Sequence, residues 1–261
     1  MYYLRLIGAF IKLNIQTALA YRSDLVINIL LNLMWLGWEL IGLSIIFSKT
    51  DTLGGWGAGD LIALLGVFRL VNTLMQVVIW PNTEQFNASV RDGSLDYTLL
   101  KPVSSLFMVT FSKITLWRTW DFIIAVVLIL AGIRMSGEMI TSAGLLKFLV
   151  LILSGTLVIY SLWIVLIALT FWFTKFDNNV TILQALLDAG RYPATVYPAW
   201  LRVILTYLIP IAVATTVPLQ ALRGDLNMIQ FGSYFSAGLV SFIVAYFVWK
   251  AGVRRYSGAS S

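Results

Sequence analysis

Several apolar stretches of about 20 residues, each bounded by charged or turn-forming residues, limit what this chain can fold into. At about 1.5 Å per residue, one such run crosses a bilayer core as a helix. Polar residues cluster between the runs instead of alternating along them, which excludes a soluble core built from amphipathic helices. The 261 residues are 59% hydrophobic and 11% charged. The chain therefore reads as an all-α integral membrane protein, one transmembrane domain over 1–261 with six crossings. Cysteine and histidine are absent, which removes disulfides, thiolate and imidazole ligands, and Ser-His or Cys-His pairs. No metal site and no catalytic residue is expected. The net charge of +6 lies beside the apolar runs, where basic residues set orientation and meet membrane lipids. Nucleic acid is not an expected partner.

Taken in order, residues 1–23 place Arg5, Lys12 and Gln16 on one stripe with Leu6, Phe10, Leu13 and Thr17 elsewhere, the pattern of an interfacial helix. A cleavable signal peptide is the competing reading, but no apolar core of the right length with a small-residue cleavage site follows Arg5. The first span is expected at 25–47, followed by a Gly-rich loop at 49–60. The second, 61–80, should end at Pro81, because proline lacks the N–H an inner helical turn needs. A third runs from about 106 to 133, with Asp121 three residues after Arg118 on one face. The fourth covers 145–173, closed by Lys175 and Asp177, and the last covers 234–249. Trp56, Trp80, Trp117, Trp120, Trp172, Trp200 and Trp249 fall near the interfaces as belt residues.

Between 178 and 224 two solutions fit. In one, 201–222 is a fifth span kinked by Pro210 and Pro218. In the other the chain crosses at about 180–197, and 199–222 folds back as a re-entrant hairpin inside a proline-rich region, 190–224, that includes Pro193, Pro198, Trp200 and Arg202. Both give six crossings. Arg5, Lys12, Arg22, Arg91, Lys101, Lys113, Arg118, Lys175, Lys250, Arg254 and Arg255 then share one side, against Lys49, Arg134, Lys147 and Arg223 on the other. The positive-inside rule puts both termini in the cytosol.

One short polar stretch stands out, the segment Arg91-Asp92-Gly93-Ser94-Leu95-Asp96 leading through Leu99 to Lys101-Pro102 in a cytosolic loop at 81–105. Gly93 suits a turn with φ > 0, Ser94 can cap a helix, Asp96 faces the positive end of the helix dipole, and Pro102 stops it. Leu95 and Leu99 make a small apolar face suited to a partner, and so brief a helix gains stability from one. The plain alternative is a capped turn joining two membrane helices.

Glu39 and Arg69 are the charges deepest in the spans. Each sits eight residues from the outer end of its helix, about 12 Å deep, so matched depth and opposite sign predict an ion pair facing the protein interior or lining a transport route. No phosphate loop, HExxH or nucleophile elbow is present, so the chain itself should not hydrolyse nucleotide. The sequons at Asn87 and Asn179 are frequent three-residue matches and are discounted.

The chain resembles the membrane subunits of ABC-2 type exporters, in the branch of bacterial permeases that has Phe171-Trp172 ending the fourth span. The similarity lies in Gly93-Ser94-Leu95-Asp96 through Leu99 to Pro102-Val103, and in the spaced prolines Pro193, Pro198 and Pro210 with Trp200, Arg202 and Arg223. The resemblance implies a coupling helix that docks on a cytosolic ATP-binding subunit and re-entrant helices before the last span. It also implies a second permease, a copy or a different homologue, with ATP and Mg bound by the partner and no cofactor here. Location in the bacterial cytoplasmic (inner) membrane follows, as does outward transport. Ala189-Gly190-Arg191 replaces the Ser-Gly pair of many relatives, which leaves the fifth span's boundaries open. An intramembrane enzyme acting on lipid or peptide and a passive channel are the competing functions.

Overall fold

The computed structural model describes Gly8, Phe10 and residues 22–115, 118–137, 140–173 and 178–256, and among these it is helical with no strand beyond one isolated bridge, Leu53 to Trp56. Of the interfacial helix expected at 1–23 only Gly8, Phe10, Arg22 and Ser23 are among the described residues, and Trp117, Lys175 and Asp177 lie outside them. Helix α1 (Arg22–Phe47) is followed by α2 (Ala58–Leu74), where the Gly57 N–H donates to Asp60 Oδ2 at 2.9 Å and places a carboxylate at the helix start. Among the described residues, four helical units are long and apolar enough to cross a bilayer: Val26–Phe47, Ala58–Arg91, Ser142–Phe171 and Met228–Arg255.

Pro81 does not end the second unit. From α2 the helix widens into a π-helical turn, Met75–Ile79, and continues as α3 (Trp80–Arg91). The carbonyl that Pro81 cannot reach belongs to Val77, and the Thr115 N–H takes it at 2.8 Å. An outside donor thus replaces the missing bond, and the wide turn accommodates the ring.

After α3 the chain turns through Gly93 into α4 (Leu95–Leu99) and α5 (Ser105–Phe111). The expected third span is split, since α5 stops at Phe111 and α6 (Asp121–Ser136) begins ten residues later. Asn82 accounts for the gap: its carbonyl accepts from the Lys113 N–H at 2.9 Å and its amide donates to the Lys113 carbonyl at 2.7 Å, which satisfies backbone groups a helix would have paired. With 16 residues, α6 is about 24 Å long.

Helix α6 lies against α2 through glycines. A Cβ on Gly66 would stand 2.7 Å from the Ala125 carbonyl, and one on Gly132 would overlap the Ala63 backbone, so the two backbones touch as small-residue membrane interfaces allow. Helix α7 (Ser142–Ala168) starts at Thr141, whose hydroxyl accepts from the Gly144 N–H at 3.0 Å, and ends in a tighter turn at Phe171. It packs along the last helix, where Ser154 donates to the Tyr234 carbonyl at 3.0 Å beneath Gly238.

The stretch between them is broken repeatedly. Helix α8 (Asn179–Asp188) leads through short turns at Ala189–Arg191 and Ala194–Val196 to α9 (Ala199–Val203), which loosens into a π-helical turn, Ile204–Leu208. The helix stops at Ile209–Pro210, and after one more turn α10 (Thr216–Arg223) follows. Pro218 interrupts nothing: it lies in the first turn of α10, where no helical N–H is required. The last helix, α11 (Met228–Arg255), opens on a reciprocal Asn227–Gln230 capping box and closes on Arg254 and Arg255.

Among the described residues two larger apolar cores, with two smaller clusters, hold the bundle. One joins Phe86, Leu95, Leu106, Trp163, Phe171 and Trp249, with Phe171 edge-on to Trp249 at 5.4 Å. The other, at the end bearing the 49–57 loop, joins Trp56, Leu64, Phe148 and Leu219. Trp56 and Trp249 are therefore core residues, not belt residues, while Trp172 and Trp200 stay exposed. The Asn87 and Asn179 amides, both in sequons, exchange a reciprocal pair of buried hydrogen bonds at 3.0 Å.

Candidate functional site: a polar groove and a capped turn

A cavity of about 780 Å³ runs between α1, α2, the start of α6 and the end of α8. From Asn28 to Ile46 on α1 it extends about 27 Å along the helix axis. At its middle the Arg69 guanidinium donates from Nε and Nη2 to Glu39 Oε2 at 3.0 and 2.6 Å. The two side chains keep 11% and 17% of their surface, so the pair is largely, not wholly, withdrawn from solvent. A second cation joins it, which the sequence did not signal: Arg191 Nη1 lies 3.6 Å from Glu39 Oε1, its Nη2 donates to Asp188 at 3.3 Å, and its guanidinium covers the Phe68 ring at 5.1 Å.

Below this cluster, toward the end bearing Arg91, the lining is polar. Asn72 accepts from Gln76 at 2.8 Å, and Arg118 donates to Gln76. The arginine thus turns to an amide on the neighbouring helix instead of forming a direct contact with Asp121, as its spacing suggested. Asp121 is 5% exposed with Oδ1 unpartnered. Above the cluster the wall is apolar, with Leu43, Ile46, Leu61 and Leu65.

The turn at 91–102 lies at the far end of α3. Gly93 takes φ +75°, as expected of it. Ser94 does not cap α4; instead its N–H donates to Asp92 Oδ1 at 2.9 Å. Hydrogen bonds from the Ser94 side chain, then from its backbone, hold the Asp92 carboxyl below its ordinary value. Asp96 stands in the first turn of α4, and Lys101 and Pro102 follow its end. The apolar face is reversed from expectation: Leu95, 1% exposed, and Leu99 turn into the protein's own core, while Tyr97 and Leu100 are 74% and 82% exposed. A helix this short takes its orientation from what lies beneath it, and Phe86 and Leu106 supply that floor.

In the proline-rich region Arg202 donates to the carbonyls of Ala194, Thr195 and Tyr197 at 3.0 to 3.3 Å, and Thr195 donates to the Gly54 carbonyl at 2.8 Å. Arg223 pairs with Asp60 at 3.4 Å and covers the Trp56 ring. Both arginines therefore end beside the 49–57 loop. Pro193 is buried and Pro198 starts α9.

Long apolar helices around a charged groove define a multi-pass membrane protein. The sequence pattern of ABC-2 family transporter proteins matches residues 33–260, and the chain belongs to that family. No curated protein and no solved structure matched the chain.

Proposed function

We propose that this chain is the membrane-spanning permease subunit of an ATP-driven ABC exporter, with the groove as its share of the translocation pathway. The groove carries the reading: ionised and amide side chains gathered at mid-membrane depth among apolar helices are costly to keep there and mark transport routes. A separate cytosolic ATPase, which binds the ATP and Mg, docks on the turn around α4, where exposed Tyr97 and Leu100 offer it apolar contact beside Arg91 and Lys101. This chain holds no cofactor of its own. A second permease, a copy or a homologue, completes the assembly in a bacterial cytoplasmic membrane.

Six crossings fit this reading: α1, α2 with α3, α6, α7, the passage from α8 to about 197, and α11. Residues 199–222 then form the re-entrant hairpin, supported by the break at Ile209–Pro210 and by the common position of Arg202 and Arg223 beside one loop. Both termini face the cytosol.

The test is co-purification of the full chain with a soluble ATPase. Tyr97→Ser combined with Leu100→Ser should abolish association and stimulated turnover while thermal unfolding stays unchanged, because neither side chain is buried. An ATPase held equally well by the double variant overturns the docking assignment.

A further inference from the structure

The groove offers more hydrogen-bond donors than acceptors. Arg69, Arg118 and Arg191 line it against two carboxylates, Glu39 and Asp121, and each guanidinium brings five N–H donors and no acceptor. Glu39 takes two of Arg69's donors and meets Arg191 only at 3.6 Å. Arg191 Nε is buried with no hydrogen-bond partner, and so is the indole N–H of Trp80 in the same wall. Arg118 donates to a neutral amide. Two acceptors are also unpartnered, Asp121 Oδ1 and Gln184 Oε1. Asp121, however, already lies in the field of Arg118 and Arg69, so a cation placed there would face two guanidiniums.

A ligand rich in anionic oxygen complements this arrangement, since guanidinium groups bind phosphate in two-pronged, charge-assisted bonds. Above the cluster the lining is apolar, and Trp35 and Trp38 continue it onto the exposed side of α1. On its middle turns helix α1 packs Leu36, Leu40 and Leu43 beside the Glu39 ion pair and leaves Leu33, Met34 and Ile41 exposed, so the groove's flank lies open to the acyl region of a bilayer. Resting on the permease reading, we propose that the groove binds an amphiphile with a phosphate headgroup, the phosphate among Arg69, Arg118 and Arg191 and the hydrocarbon chain along Leu43, Leu61 and Leu65. The ligand reaches it sideways from the membrane.

The test uses the full chain in dodecyl maltoside, photo-cross-linked to a phosphatidate with a diazirine in one acyl chain. Labelling should concentrate in 31–46 and 61–69. Unlabelled phosphatidate should compete, whereas a trimethylammonium lipid with the same tails and inorganic phosphate should not. Arg118→Gln and Arg191→Gln should each weaken competition about tenfold, the loss expected for one hydrogen bond to a charged group. Arg134→Gln, on the exposed face of α6, should leave it unchanged. If a groove variant fails to fold, the wild-type competition decides alone. Labelling spread over outer faces such as α11, or equal competition by the cationic lipid, overturns the proposal. Competition by inorganic phosphate as strong as by phosphatidate means a free-phosphate site and overturns the amphiphile. Association with the ATPase is read on the same preparation without lipid, so its survival alongside failed labelling removes the ligand class and leaves the permease reading standing.

Discussion

Replacing Glu39 by Gln removes the carboxylate shared by two guanidiniums, and the structure sets the size of the effect. Charges about 4 Å apart at an effective dielectric of 20 attract by about 4 kcal/mol, and stripping one partner from a buried pair typically costs about 3 to 5 kcal/mol. Residual exposure of 17% on Glu39 and 11% on Arg69 admits screening, and the glutamine oxygen keeps a hydrogen bond worth about 1 kcal/mol. The expected loss is about 3 kcal/mol, more than a hundredfold in the folded-to-unfolded ratio. Arg69→Gln should cost less, about 2 kcal/mol, because Glu39 retains Arg191 at 3.6 Å. Equilibrium unfolding in mixed micelles of dodecyl maltoside and sodium dodecyl sulfate measures both, and the double variant completes the cycle. A coupling of about 1 kcal/mol or more is expected between residues in contact. If the two losses simply add, or if Arg69→Gln is the more damaging, the ion-pair reasoning is wrong.

Three further outcomes follow from the geometry. Single cysteines at positions 202 and 223 of this cysteine-free chain should both react with an impermeant thiol reagent from outside sealed cells; labelling of position 202 only after the inner face is exposed would establish a spanning fifth helix instead. The Asp92 carboxyl is depressed when folded, so its contribution is complete above the unfolded value near 3.8 and is lost as pH falls through the folded one; protection of the Ser94 amide against hydrogen exchange should fade only below pH 3.8, and a midpoint above that value contradicts the Asp92–Ser94 turn. Asn87→Ala should destabilise by about 1 to 3 kcal/mol by stranding the Asn179 amide, with the Asn179→Ala double variant less than additive. Full additivity there would dismiss the reciprocal amide pair.

What could be read from the chain was whatever depends on neighbours along it. Apolar runs place α1 and α7 to within a few residues and find α11 while missing six residues at each of its ends; Gly93 marks its own turn, and the depths of Glu39 and Arg69 can be counted from their helix ends. Features held by remote groups could not be read. Pro81 looks like a terminus until Thr115 supplies the missing hydrogen bond, and the third span looks continuous until Asn82 takes up Lys113. Leu95 and Leu99 show an apolar face without showing which way it turns. Arg191 comes to Glu39 from 152 residues further along the chain, and no local pattern announces it.

The glycine contact between α2 and α6 has a mechanical consequence. Two backbones in direct contact at Gly66 and Gly132 cannot slide past each other without overlap, and spreading them would forfeit that packing, so that pair behaves as one stiff panel. From Val26 to Phe47 helix α1 buries none of its side chains completely and faces the panel across the groove with Glu39 as its latch on Arg69. Widening of the groove therefore falls to α1 swinging as a hinged door, and anything that competes for Arg69 loosens the latch.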